Sequence, residues 1–214
     1  LSSPSLIGAE LTNFKEISTF SKNHDRYFSM TFPAPRPGYT LPVFACAGAI
    51  AALRYLHGEN IGDSVSLNLI EPPEKAEIAI EQLARISPRA ALAITRSDPG
   101  DNLDLTRDTP IWAMVETGEG NGEIIINGGE GIGIQVNNDG KAAIYAYADR
   151  LLRENLQPLL LPAENITVTI ILPEGRKLAE RTSNAAFGVV EGLSLLGTTG
   201  ISRPLSAPGQ LEIF

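Results

Sequence analysis

Residues 192–206 read GLSLLGTTGISRPLS. Gly192, Gly197 and Gly200 bracket a short apolar run, and two threonines and a proline complete the stretch. Glycine costs least where the backbone needs positive φ or where another group approaches closely. Thr198 and Thr199 place two hydroxyls and several backbone N–H groups in one turn. Such a turn either holds an anionic or carbonyl group or simply connects two elements.

Three further blocks precede it: GYTLPVFACAGAIAAL (38–53), SDPGDNLDLT (97–106) and GGEGIG (128–133). In the first, Pro42 suits an opening helical turn and Gly58 suits a C-terminal cap, which predicts a helix over Val43–His57. Its alanines and glycines give a thin face for close packing on a sheet or for a flat ligand. Cys46 lies within it and reads as a small buried hydrophobe.

The second block carries Asp98, Asp101, Asp104 and Thr106. Carboxylates at this spacing, if buried together, cannot all ionise, and one becomes a proton acceptor near neutral pH. The alternative is a solvated turn with local side-chain-to-backbone hydrogen bonds. The ligand order of a calcium loop is absent. The third block follows a strand, as an anion-binding nest would, but it is neither GxGxxG nor a Walker loop. A bulged hairpin reads equally well.

The four blocks, in this order, resemble the cobalt-precorrin-5B (C1)-methyltransferase family, the D protein of anaerobic cobalamin biosynthesis. The resemblance covers roughly 36–206. It implies methyl transfer from S-adenosyl-L-methionine to C1 of a cobalt-containing contracted tetrapyrrole, giving cobalt-precorrin-6A. It also implies an α+β domain similar to a circularly permuted ribosomal-protein-S5-domain-2-like fold, with helices on a mixed or antiparallel sheet. On this reading Asp101 and Asp104 are the catalytic candidates. Tyr39, Thr40, Asp98, Thr106, Gly129, Gly131, Gly133, Thr198, Thr199 and Arg203 are candidates for substrate binding. The alternative is a non-catalytic corrinoid-binding module derived from the enzyme.

The family is longer, so the resemblance implies a C-terminal α/β domain beyond this chain, with 207–214 starting the linker. Residues 1–35 read as a polar extension, with a short helix near Glu10–Phe20. The chain departs from the family pattern at GYTLP, at Ile50 where a lysine is common, and at AIYAYADR (143–150). These departures touch local contacts more than the fold.

Composition narrows the partners. The 214 residues carry a net charge of −8, against general nucleic-acid binding. One cysteine and two histidines, His24 and His57, supply no metal-ligand cluster and fit a reducing cytoplasm. The longest apolar run, 41–53, is too short to span a bilayer. The expected partner is the tetrapyrrole, with a homo-oligomer left open. A polycarboxylate on an acidic protein needs a local cation cluster; Arg36, Arg96, Arg107, Arg181 and Arg203 stand beside the motifs.

Alternation predicts a strand at Ser64–Ile70. Lys75–Ile86 fits alternation as well as a helix of good formers, and a strand paired with the first is favoured. Further strands are expected at Ala90–Thr95, at Thr109–Thr117 and Gly122–Ile126, joined by the turn GEGNG, and at β-branched Asn165–Leu172. Helices are expected at Ala142–Asn155 and Arg176–Thr182. Strands in runs with few helices between them favour α+β over a doubly wound sheet.

Overall fold

The computed structural model describes residues 35–204. The expected helix near Glu10–Phe20, most of the N-terminal extension and residues 205–214 lie outside the described residues.

The chain builds β1 (Gly38–Tyr39), α1 (Leu41–Leu56), β2 (Ser64–Asn68), β3 (Lys75–Ala79), β4 (Gln82–Ser87), β5 (Ala90–Arg96), β6 (Pro110–Glu119) and β7 (Ile124–Gly128). There follow β8 (Ile134–Gln135), β9 (Lys141–Ala142), α2 (Ala146–Leu156), β10 (Glu164–Ile171), α3 (Gly175–Ala179), β11 (Val189–Val190) and β12 (Ile201–Ser202). The main sheet has the order β4-β5-β6-β10-β7. All its pairs are antiparallel except β10 with β7. This is a mixed sheet with few helices, as α+β predicts.

α1 forms where expected. Pro42 sits in its first turn, and Gly58 closes its end at φ +84°. The thin face meets the sheet: a Cβ on Gly48 would lie 3.0 Å from the Ala113 Cβ. Thr95, fully buried in β5, donates its hydroxyl to the Phe44 carbonyl at 3.1 Å and so fixes α1 on the sheet. Cys46 is fully buried, and its thiol donates toward the Leu151 carbonyl of α2 at 3.6 Å. Leu151, Leu152 and Leu156 of α2 complete the core; each such burial contributes about 1.5–3 kcal/mol.

β2 and β3 form a separate hairpin whose Val65, Leu67, Ala76 and Ile78 point inward. Asn155 pins it to α2 through both the N–H and the carbonyl of Asn68, each at 2.9 Å. Tyr147 holds the next residue, donating its hydroxyl to the Leu69 carbonyl at 2.8 Å.

Two expectations need correction. The segment 75–86 is two strands, because the chain leaves the hairpin after Ala79 and joins the main sheet at Gln82. α2 begins at Ala146 rather than Ala142, because Lys141 and Ala142 pair with Gln135 and Ile134 instead. β6 and β7 are joined across GEGNG as expected, and within the sheet β10 lies between them.

Candidate functional site

The registers place two of the motif loops at one end of the main sheet. Arg96 pairs with Pro110, Trp112 with Ile171, and Ile170 with Gly128. The aspartate loop (97–109) joins β5 to β6 there, and the glycine loop follows β7 there. Segment 193–202 runs between them. At its start Leu193 donates to the Gly131 carbonyl and accepts from Gly133, and Leu195 donates to the Ala143 carbonyl. At its end β12 pairs with β1, Gly38 facing Ser202 and Tyr39 facing Ile201.

The first, second and fourth blocks therefore meet. Thr40 donates its N–H to the Gly200 carbonyl at 3.0 Å and its hydroxyl to the Thr199 carbonyl at 3.1 Å. Tyr39 donates its N–H to the Asp98 carbonyl at 3.0 Å. Gly38 is required here, since a Cβ on it would overlap the backbone of Pro99 and Gly100. The Asn102 amide donates to the Ser202 hydroxyl.

The carboxylates have distinct surroundings. Arg36 grips Asp98 with both terminal nitrogens, at 2.8 and 2.9 Å. That hydrogen-bonded pair holds the Asp98 carboxyl below the usual carboxylate range, with the Gly100 N–H adding to the effect. Asp101 and Asp104 are exposed. Their burial together, which the sequence reading allowed, is not observed. One oxygen of Asp101 accepts the Arg36 N–H at 2.6 Å. One oxygen of Asp104 accepts both the N–H and the hydroxyl of Thr106, at 2.8 and 2.7 Å. The second oxygen of each has no donor among the described residues. Thr198, Thr199 and Arg203 are exposed; the Thr199 hydroxyl donates to the Ile201 carbonyl at 3.2 Å.

The expected cation cluster is largely engaged. Arg36 is paired with Asp98, and Arg96 binds Glu81 with Nη2 at 2.9 Å. Arg107 donates to the carbonyls of Gly100 and Asn102.

The glycine loop is built for close backbone contact. A Cβ on Gly131 would overlap the Leu172 carbonyl, and one on Gly175 or Gly192 would overlap the Gly131 carbonyl. The N–H groups of Gly129, Ile132 and Gly133 are donated to Ile170, Gly129 and Leu193. Gly131 and Gly133 are buried and Gly129 is half-buried. The loop thus shapes the sheet end and spends those three donors internally.

A cleft of about 850 Å³ opens beside this loop. Its walls are Ile126, Asn127 and Gly128 of β7, Lys141 and Ala142 of β9, Ile144, the start of α2 at Ala146 and Asp149, and Thr169 of β10. Asp149 is held by Arg153 through two hydrogen bonds, at 2.9 and 3.0 Å. Lys141 has no ion-pair partner among the described residues. The sequence reading missed Lys141, Asn127 and Thr169. Only the third block pointed nearby, because no motif joins residues from β7, β9 and β10. A smaller pocket of about 280 Å³ lies at the other motif cluster, lined by Tyr39, Phe44, Arg96 and Asp98 among others.

Among the described residues no group of three or more metal-ligating side chains assembles, and no helix is long and apolar enough to cross a membrane.

Comparison with known proteins is specific. A family model described as CbiD matches residues 30–204. The chain is 67% identical over 180 residues to the cobalt-precorrin-5B C(1)-methyltransferase of Trichormus variabilis, covering 84% of this chain and 49% of that protein. It is 64% identical over 177 residues to the same-named protein of Synechocystis sp., covering 83% and 47%. The chain spans about half the length of the curated relatives it matches. A crystal structure of the cobalamin biosynthesis protein cbiD from Archaeoglobus fulgidus is similar with a TM-score of 0.63 at 25% identity, covering 84% of this chain and 59% of that one.

Proposed function

This chain belongs to the CbiD family, and from that premise we propose that it forms the first half of a methyltransferase acting on C1 of cobalt-precorrin-5B, with S-adenosyl-L-methionine as methyl donor and cobalt-precorrin-6A as product. The observation that carries the reading is the 67% identity over 180 residues to a protein of that name. A further α/β domain, a cytoplasmic setting and a circularly permuted S5-like topology belong to the same proposal.

When bound, the donor supplies a sulfonium methyl: the ring carbon forms the new C–C bond, the methyl–sulfur bond breaks with its electron pair on sulfur, and S-adenosylhomocysteine leaves. The protein's task is alignment and proton handling. Asp101 and Asp104 suit the second task, each exposed with one unengaged oxygen. Tyr39, Asp98, Thr106, Thr198, Thr199 and Arg203 would face the substrate around the 193–202 segment. Gly129, Gly131 and Gly133 would shape its floor. Arg203, exposed and without an ion-pair partner among the described residues, suits a substrate carboxylate.

A corrinoid-binding module without catalysis is the second reading. It is favoured by the local hydrogen bonds that already engage Asp101 and Asp104. One assay separates the two. The chain, extended with the second half of its relatives, is incubated with radiolabelled S-adenosylmethionine and cobalt-precorrin-5B. Label entering the corrinoid supports methyl transfer. A corrinoid absorbance shift on binding, without label transfer, supports the binding module and overturns the first reading.

A further inference from the structure

We infer that the cleft between β7 and the start of α2 receives the α-amino-acid end of the methyl donor, with Lys141 as the partner of its carboxylate. This inference rests on the proposed methyl transfer and adds the donor's location.

Size is the first argument. The cleft's volume of about 850 Å³ lies in the range of small-molecule sites. Its charge inventory is the second. Lys141 is the one cation in the lining, and Asp149 is already neutralised by Arg153. A tetrapyrrole with many carboxylate arms would need several cations. A single α-carboxylate needs one.

The backbone supplies the complement. Ile166 donates to the Glu123 carbonyl and Gly129 donates to the Ile170 carbonyl. A parallel ladder engages alternate residues, so Ile124, Ile126 and Gly128 turn their N–H and C=O groups away from β10. Arg153 confirms this geometry by donating to the Ile124 carbonyl at 2.7 Å. The Ile126 and Gly128 groups carry no hydrogen bond outside the ladder among the described residues. Their carbonyls can accept from an ammonium and their N–H groups can donate to a carboxylate. The side chains of Asn127 and Thr169, paired in register across β7 and β10, also make no hydrogen bond among the described residues. Ile126, Ala142 and Ile144 give an apolar wall for the thioether chain. A zwitterion on a short aliphatic stem matches this inventory of one cation, edge N–H and C=O groups and an apolar wall.

The test uses two ligands that differ at the group in question. S-Adenosylhomocysteine carries the amino-acid end, and methylthioadenosine lacks it. Each is titrated calorimetrically into the 214-residue chain and into the extended form, as wild type, Lys141→Met and Lys75→Met. The expected result is that Lys141→Met weakens S-adenosylhomocysteine about tenfold or more and leaves methylthioadenosine unchanged. Lys75→Met, on β3 away from the cleft, leaves both unchanged. Equal affinity of wild type and Lys141→Met for S-adenosylhomocysteine overturns the inference, as does equal weakening of both ligands or no binding to either form. The methyl-transfer assay is read separately. Transfer with an unchanged KM for the donor in Lys141→Met rejects the cleft and keeps the activity. Lys141-dependent binding without transfer rejects the activity and keeps the cleft.

Discussion

Gly131 faces the carbonyl of Leu172 so closely that a Cβ on it would overlap the carbonyl oxygen, and its own φ is +76°. Both facts forbid a side chain there. Gly131→Ala is expected to destabilise the fold by about 3 kcal/mol or more, because left-handed strain and a backbone overlap act together. Gly140→Ala, also at positive φ but with its nearest outside neighbour at 3.8 Å, is expected to cost only the strain, about 1–2 kcal/mol. Urea unfolding of the two variants measures the difference.

Acid should act on the aspartate loop through Asp98. Its carboxyl is held below the ordinary range in the folded chain, so the unfolded chain takes up that proton first. The stabilisation is complete above about pH 4, the unfolded value. It disappears as pH falls through the lowered native value. Urea midpoints of wild type and Asp98→Asn should differ at pH 6 and draw together as pH falls below the ordinary carboxylate range. A difference that grows on acidification would reject the assignment.

Cys46 should be inert in the native state. It is fully buried, and burial pushes its thiol well above the ordinary value. Ellman's reagent should label it only after denaturation. Labelling of native chain within minutes would mean that α1 opens from the sheet.

Gly48→Val should disrupt the seat of α1, where even a Cβ would stand 3.0 Å from the Ala113 Cβ. Overpacking of this kind costs about 1–3 kcal/mol. Thermal unfolding of the variant reads the cost directly.

If Asp101 or Asp104 handles the proton, Asp101→Asn or Asp104→Asn should lower turnover of the extended form about 10²- to 10⁴-fold. Each asparagine keeps an acceptor oxygen for the loop's own hydrogen bonds. Stability should therefore change by less than about 0.5 kcal/mol. Unchanged turnover in both variants would remove them from the reaction.

Local chemistry was legible in the sequence. Pro42 and Gly58 marked both ends of α1, alternation found β2 and β-branching found β10, and β5 was also placed, each within a residue or two. Non-local pairing was not legible. Nothing in GEGNG shows that β10, which starts some 40 residues later, separates β6 from β7. The glycine loop had the composition of an anion nest because both uses require a bare backbone. What distinguishes them is the arrival of Gly175 and Gly192 at Gly131, a meeting set by tertiary structure. The meeting of Thr40 with Thr199 and of Arg36 with Asp98 was equally invisible to local pattern, although the motifs that hold those residues stood out. Lys141 was missed for the same reason: its neighbours in the cleft come from β7, β10 and α2.

The segment from Leu195 to Ile201 is tethered at both ends by backbone hydrogen bonds, to Ala143 on one side and through β12 to β1 on the other. It therefore works as a ruler. The gap between its two anchors is gauged by the count of peptide units rather than by the side chains they carry. Evolution can exchange residues such as exposed Leu196 or Thr198 freely on structural grounds. A single-codon insertion or deletion there would force one anchorage to slip.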